Sequence, residues 1–240
     1  MVKIFNLDFY DKNLENIKIE LEKDIDENKK VRVYTPNVDH IINIKSNEKV
    51  FSKYSKAEYI IADGWPVVAT AKVKKTPIYK ITGVDLMDEL LKLADKKILN
   101  IFFLGATDDT LKKLKSNIER DFNNINLINY NNGYFSEEDN EIIVKKINET
   151  NSNILFVGMG SPKQEIWITE NIEKLNVNIA IAIGGALKIY SEEIERAPKF
   201  VQKIGMEWFY RFMKEPKRLF SRYFVKYPKF IKHFIDEIKE

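Results

Sequence analysis

The residues most able to do chemistry together lie in two short stretches. Asp63 follows directly on the expected strand Glu58–Ala62, and a glycine comes straight after it, in Ala62-Asp63-Gly64. A carboxylate at a buried strand's end, beside a glycine turn, can overhang a cleft with little solvation, which raises its basicity and suits a general base. The same residue could instead cap the helix that Pro66 begins, a reading that local sequence slightly favours. The second stretch, Leu155-Phe-Val-Gly-Met-Gly-Ser-Pro-Lys-Gln-Glu165, runs from an apolar strand through a glycine turn into a helix start. Gly158 and Gly160 let the backbone pass where a side chain would block it. Ser161, Pro162 and Gln164 fall at the N-cap, first and third positions of that helix, a capping-box pattern. Such a helix start aims N–H groups and a positive dipole end at an anion, and the diphosphate of a nucleotide is the natural occupant. Lys163 stands where G-x-G-x-x-G has its third glycine, and no Walker lysine-serine pair follows. A plain strand-to-helix connection, with Gln164 only a capping residue, is the competing account.

The elements that must position these residues can be read from the apolar runs. Leu14, Ile17, Leu21 and Ile25 recur at helical spacing. Val31–Tyr34 reads as the first strand and ends in Thr35-Pro-Asn37, polar groups at the place where ligands sit in open parallel sheets. Thr35 or Asn37 could equally cap the helix over 38–44, and His40 reads as a packing or surface residue. Further strands are expected over 58–62, 97–104, 126–130, 154–157 and 178–183, with helices between them, including 136–147. Strand and helix alternate about six times, the signature of a parallel sheet covered on both faces. Three strands end in small-residue turns, at Gly105-Ala106, Gly158–Gly160 and Gly184-Gly185, and all three should open on one edge of the sheet. The expected fold is α/β: a Rossmann-like, mostly parallel sheet with helices on both faces, residues 1–195, and a helical appendage over 196–240.

Composition removes whole classes of chemistry. There is no cysteine and there are two histidines, so thiolate catalysis, disulfides and histidine-rich metal sites are excluded. Asp24-Ile-Asp26 resembles a metal-binding D-x-D, but positions two apart on a helix point about 200° apart, so it reads as solvated surface. No basic-then-apolar leader and no run near 18 apolar residues occur, which leads to the expectation of a cytoplasmic protein. Net charge of +3 divides unevenly: residues 196–240 hold twelve Lys/Arg against five Asp/Glu, and the rest is net acidic. Eleven of the 35 residues from Phe200 to Phe234 are aromatic. Three of the six arginines, Arg211, Arg218 and Arg222, fall there in a chain that otherwise uses lysine. That pattern fits phosphate gripped by guanidinium forks, or a bilayer surface bearing anionic lipid. Core packing and single-stranded nucleic acid are the alternatives.

Thr35-Pro-Asn37, Ala62-Asp-Gly64, Thr82-Gly-x-Asp85, Gly158-x-Gly-x-Pro-x-Gln-Glu165 and Gly184-Gly185 occur in the order found in the WecG/TagA/CpsF glycosyltransferases, which the chain resembles over nearly its whole length. Within that family it most resembles the N-acetylmannosaminyltransferases of teichoic-acid linkage. The resemblance implies inverting transfer, without metal or cofactor, from a UDP-sugar to a polyprenyl-diphosphate-linked N-acetylglucosamine. It implies Asp63 as base, Thr35 and Asn37 in the substrate pocket, and Gln164 against the sugar nucleotide. It also implies an appendage whose arginines bind phosphate and which docks peripherally on the inner face of the cell membrane. Lys80 stands where the family often has arginine, keeping the charge without the bidentate fork. Two rival readings are a non-catalytic nucleotide or lipid-phosphate module and a relative using another UDP-sugar. A nucleic-acid partner is not expected, because the body lacks a basic balance. Self-association through tail aromatics is expected where no membrane is present.

Overall fold

The computed structural model describes residues 1–203, 206–220, 224 and 227–239, and the side chains of Lys199, Lys203, Arg211 and Arg218 lie outside that description. In chain order the elements are β1 (Val2–Ile4), β2 (Leu7–Phe9), α1 (Leu14–Asp26), β3 (Val31–Tyr34), α2 (Val38–Ser46), α3 (Glu48–Tyr54), β4 (Tyr59–Ile60), α4 (Trp65–Val73) and α5 (Gly83–Lys97). Next come β5 (Asn100–Gly105), α6 (Asp108–Asp121), β6 (Leu127–Asn131), α7 (Asn140–Glu149), β7 (Ile154–Gly158), α8 (Lys163–Asn171), β8 (Ile179–Ala182) and α9 (Ala186–Tyr190). Helices α10 (Lys199–Lys203), α11 (Glu207–Lys214), α12 (Pro216–Phe220) and α13 (Tyr227–Lys239) complete the described chain. The eight strands form one sheet in the order β1-β2-β4-β3-β8-β7-β5-β6, parallel except for β1 against β2.

The strands are apolar without alternation because both faces of the sheet are covered. Successive strand residues feed different cores: Phe102, Leu104, Leu155 and Val157 join one, and Ile101, Phe103, Ile154 and Phe156 the other. The first core also takes side chains from α2, α3 and α8, and the second from α1, α5 and α6. The sheet is thus a partition between two apolar layers. Its strand order changes direction between β3 and β8, since β3 leads out to β4 on one side while β8 is reached from β7 on the other. In open α/β sheets a ligand crevice forms at such a switch point, above the carboxyl ends of the strands.

Several boundaries differ from the sequence reading. A β1–β2 hairpin precedes β3, turning through Phe5 and Asn6 at φ 54 and 64. Three-residue strands give too little periodicity to register. Helix α5 runs on to Lys97 and β5 begins only at Asn100, while Ser136–Asp139 forms a turn ahead of α7. Asp24 is a larger departure: it is buried, accepting from the Tyr59 hydroxyl at 2.7 Å and from Lys29 at 3.4 Å, whereas Asp26 is exposed and pairs with Lys97. The reading of Asp24 as solvated surface is therefore corrected, because a tyrosine hydroxyl supplies the partner that lets a carboxylate be buried.

The last helix does not trail free. Phe230 packs on Phe5 with ring centroids 5.8 Å apart, and Glu237, 3% exposed, meets Lys74 at 2.9 Å and Lys45 at 3.7 Å. Helix α13 thereby lies across α2 and α4, the two helices whose N-termini lead out of Asn37 and Asp63. Proline 216 opens α12 after the break at Glu215.

Candidate active site

The three small-residue turns meet. Gly105 lies opposite Gly158 in the β5–β7 register. A Cβ added to Gly105, whose φ is +141, would stand 2.4 Å from the Gly158 carbonyl oxygen. One added to Gly158 would stand 2.5 Å from Leu187 Cδ1 and 2.9 Å from the Gly184 carbonyl oxygen. The Ala106 N–H donates to Gly158, and the Gly133 N–H after β6 donates to Ala106. Backbones are thus in contact from β6 to β8, as the expected common edge requires, and no side chain fits between them. Above this floor, positions corresponding to Cβ atoms on Gly160, Gly184 and Gly185 meet nothing within 4 Å. Tyr134, next to Gly133, is 79% exposed at the same rim.

Beside the floor stands the Asp63 loop. The Asp63 N–H donates to Pro36, and the Ile81 N–H donates to Ala62, tying the loops after β3 and β4 to the start of α5. Asp63 is half-buried. The N-cap of α4 is Gly64, at φ +134, and no side chain caps that helix. The capping role that local sequence favoured for Asp63 is overturned: the N-cap position is taken by Gly64, whose backbone angle carries the chain into the helix. Asn37 does cap, its Oδ1 accepting from the Asp39 N–H at 3.0 Å while His40 Nδ1 accepts from the Asn37 N–H at 2.8 Å. Thr35 is buried and donates its hydroxyl to Ala182 at 3.0 Å. The site of an added Gly83 Cβ lies 3.4 Å from both Thr35 Oγ1 and the Ile183 carbonyl, and that of Gly64 lies 3.7 Å from Asn37 Cβ. Thr35, Asn37 and Asp63 therefore share one corner, where β3, β4 and β8 end.

The helix start after β7 is built differently from its sequence pattern. Helix α8 begins at Lys163 with Pro162 as N-cap, and Ser161 provides no cap; its hydroxyl lies 3.3 Å from the buried Tyr54 hydroxyl instead. Gln164 reaches back to accept from the Gly160 N–H at 3.2 Å, two residues ahead of the N-cap, so it braces the turn and the expected capping box is not formed. It is 2% exposed, and its amide nitrogen donates to Glu165 at 2.9 Å. Glu165, present in the motif but given no role from sequence, is 1% exposed. Burial, then the Glu165 charge, push the Tyr54 hydroxyl well above its ordinary pKa.

A model of the "Glycosyl transferase WecG/TagA/CpsF family" matches residues 2–240. The chain belongs to that family. It is 32% identical to a Staphylococcus aureus N-acetylglucosaminyldiphosphoundecaprenol N-acetyl-beta-D-mannosaminyltransferase over 188 residues, covering 78% of this chain and 73% of the relative. A Bacillus spizizenii protein of the same name is 30% identical over 230 residues, covering 95% of this chain and 88% of the relative.

In this WecG/TagA/CpsF protein two cations near the corner, Lys80 and Arg196, have acidic neighbours. Lys80 lies 3.9 Å from Glu207, the first residue of α11. Arg196, which sequence reasoning passed over, pairs with Asp85 of the Thr-Gly-x-Asp motif, and the Thr82 hydroxyl donates to the same carboxylate at 2.7 Å. Burial alone would raise the Asp85 pKa, but the Arg196 and Thr82 hydrogen bonds outweigh it and hold the carboxyl below its usual range. Arg196 is the first residue of the basic 196–240 segment, and nothing near it in sequence points to Asp85. Arg211 lies on α11 and Arg218 on α12, with side chains outside the description, and Arg222 lies wholly outside the described residues. No group of three His, Asp or Glu that could hold a metal occurs among the described residues, and no described helix is long and apolar enough to cross a membrane.

Proposed function

We propose that this protein transfers N-acetylmannosamine from a UDP-linked donor to the N-acetylglucosamine of a polyprenyl-diphosphate lipid, forming the linkage unit of teichoic acid. The names of the Staphylococcus and Bacillus relatives supply the acceptor and the sugar. The observation that carries the reading is the placement of Asp63: a half-buried carboxylate at the sheet's switch point, not used as a helix cap, beside Asn37, Thr35 and the glycine floor. In this account the donor's diphosphate lies over Gly105, Gly158, Gly160 and Gly184, with Gln164 bracing the turn beneath it. Asp63 removes the proton from the acceptor hydroxyl as that oxygen attacks the anomeric carbon. The bond to the diphosphate oxygen breaks on the opposite face, UDP departs with the electron pair, and the configuration inverts.

Charge on the departing UDP is met by the α8 start, Lys80 and the late arginines Arg211, Arg218 and Arg222 rather than by a divalent ion. Support comes from the split D-x-D, with Asp24 spent on Tyr59 and Asp26 on Lys97. The appendage docks on the inner membrane surface. Trp208, Phe209 and Met213 of α11 and Ile231, Ile235 and Ile238 of α13 are exposed, and such side chains interleaved with cations suit an anionic interface.

Asp63→Asn tests the reading with UDP-N-acetylmannosamine and a short-chain lipid-diphosphate acceptor. Turnover should fall by about 10²–10⁴, the range for a lost general base, while UDP affinity stays at the wild-type value. Unchanged turnover would refute the assignment. Activity unaltered by EDTA and a product of inverted anomeric configuration by NMR are the companion results.

A further inference from the structure

The 158–164 turn is braced from behind by a carboxylate that nothing above employs. Glu165 Oε1 accepts from the Gln164 amide nitrogen, and the buried Tyr54 hydroxyl also interacts with this carboxylate. The Tyr34 hydroxyl donates to the Glu165 backbone carbonyl at 3.0 Å and so fixes this residue's main chain. Gln164 is buried between two groups of opposite character: the Gly160 N–H, which can only donate, and the Glu165 carboxylate, which when ionised can only accept. An amide can sit in two orientations 180° apart, and this pair of neighbours allows one. The carboxylate thereby sets the direction of the Gln164 amide, and the amide oxygen sets the conformation of Gly160, which sits at φ +81 with open space above it.

Energetics argue against a purely structural purpose. A carboxylate 1% exposed is costly to desolvate, and glutamine would fill the same volume without that charge. A residue retained only for the fold would do better neutral, and stability sacrificed beside a site is a mark of function.

We propose that Glu165 is a positioning residue for donor binding: its buried charge locks the Gln164 amide and, through it, the Gly158–Gly160 turn that receives the diphosphate. This rests on the donor site described under the proposed function. It adds a residue that touches no ligand yet governs the shape of the surface that does.

The test uses the full chain carrying Glu165→Gln, with thermal denaturation, calorimetric titration with UDP, and hydrogen exchange at the Gly160 amide without ligand. A glutamine at 165 can present either end to Gln164, so the lock is lost. Expected are an unchanged or raised Tm, UDP binding weaker by about tenfold, equivalent to about 1.4 kcal/mol, and faster exchange at Gly160. Gln164→Ala should show the same exchange, with no further increase in the double variant. Wild-type UDP affinity together with wild-type Gly160 protection in Glu165→Gln would overturn the proposal. So would a lowered Tm, or failure to fold, since either makes the carboxylate a fold requirement. Failure of the wild-type protein to bind UDP would overturn the proposed function and this inference together, whereas wild-type binding that Glu165→Gln preserves would overturn this inference alone.

Discussion

A glycine-to-alanine series separates the part of the turn cluster that packs from the part that faces a ligand. In Gly105→Ala the new methyl would lie 2.4 Å from the Gly158 carbonyl oxygen and 2.5 Å from its carbon, both backbone atoms that cannot rotate away. Overpacking of this kind costs about 1–3 kcal/mol. Holding a non-glycine residue at φ +141 adds a further cost of about 1–3 kcal/mol. At roughly 2–4 °C per kcal/mol for a protein of this size, Tm should fall by roughly 5–20 °C. Gly185→Ala is the opposite case: φ is −77, nothing lies within 4 Å, and stability should stay within about 0.5 kcal/mol of wild type. Its methyl nevertheless enters the space assigned to the donor, so UDP affinity should drop by about tenfold, or about 1.4 kcal/mol. Thermal denaturation and UDP titration on the two variants give the comparison. Equal Tm values would show that the contact between the Gly105 and Gly158 turns is not made, and wild-type UDP affinity in Gly185→Ala would remove the donor from above β8.

Other expectations follow from the ion pairs. Because the Asp85 carboxyl is held below its ordinary 3.8, its contribution to stability is present above that value and lost as pH falls through the lower folded pKa. Asp85→Asn should therefore flatten the decline of Tm below about pH 4. Glu237→Ala leaves Lys45 and Lys74 without their carboxylate and should cost about 3 kcal/mol, with α13 becoming the first site of limited proteolysis. His233, on the same helix, is held below its ordinary 6.5 by burial first and then by Lys45. Its contribution is complete above 6.5 and is lost as pH falls through the lower folded value. Acidification should loosen α13, seen as faster hydrogen exchange there, and His233→Gln should remove that dependence.

What the sequence disclosed, and what it hid, follows from how far each interaction reaches. The parallel sheet was legible because Ile101–Leu104, Ile154–Val157 and Ile179–Ala182 are apolar at every position, which only a two-faced burial demands. The meeting of the three glycine turns was legible for the same reason, since parallel strands carry their following loops to one edge. The β1–β2 hairpin was not, because three residues are shorter than any reliable period. Partners distant in sequence were also hidden. Asp24 looked solvated because Tyr59 is 35 positions away, and Arg196 gave no hint of reaching Asp85 across 111. At Asp63 local reasoning weighed aspartate against glycine as a cap by side-chain chemistry alone. It could not see that the turn needs φ near +134, which glycine tolerates best.

The site owes its geometry to bonds that continue the sheet past its strands. Strand β4 is two residues long, too short by itself to fix the Asp63 carboxylate. The backbone ladder does not stop there, however. Ile61 donates to Tyr34, Asp63 to Pro36, Ile81 to Ala62, Ile183 to Val157, Ala106 to Gly158 and Gly133 to Ala106. Each bond joins a loop to a neighbouring strand end or loop. The segments carrying Asp63, the glycine floor and the start of α5 are therefore laced together before any ligand arrives. A group held this way is positioned by backbone rather than by its own rotamer, and such preorganisation lowers the cost of reaching a reactive geometry. In the proposed donor site this accounts for the scarcity of charged side chains at the floor: once glycine lets main chains touch, the surface offered to a diphosphate is largely peptide. In the proposed reaction, the charges that accompany UDP's departure then have to come from elements outside the sheet, and in this chain arginine is concentrated in the segment that follows it.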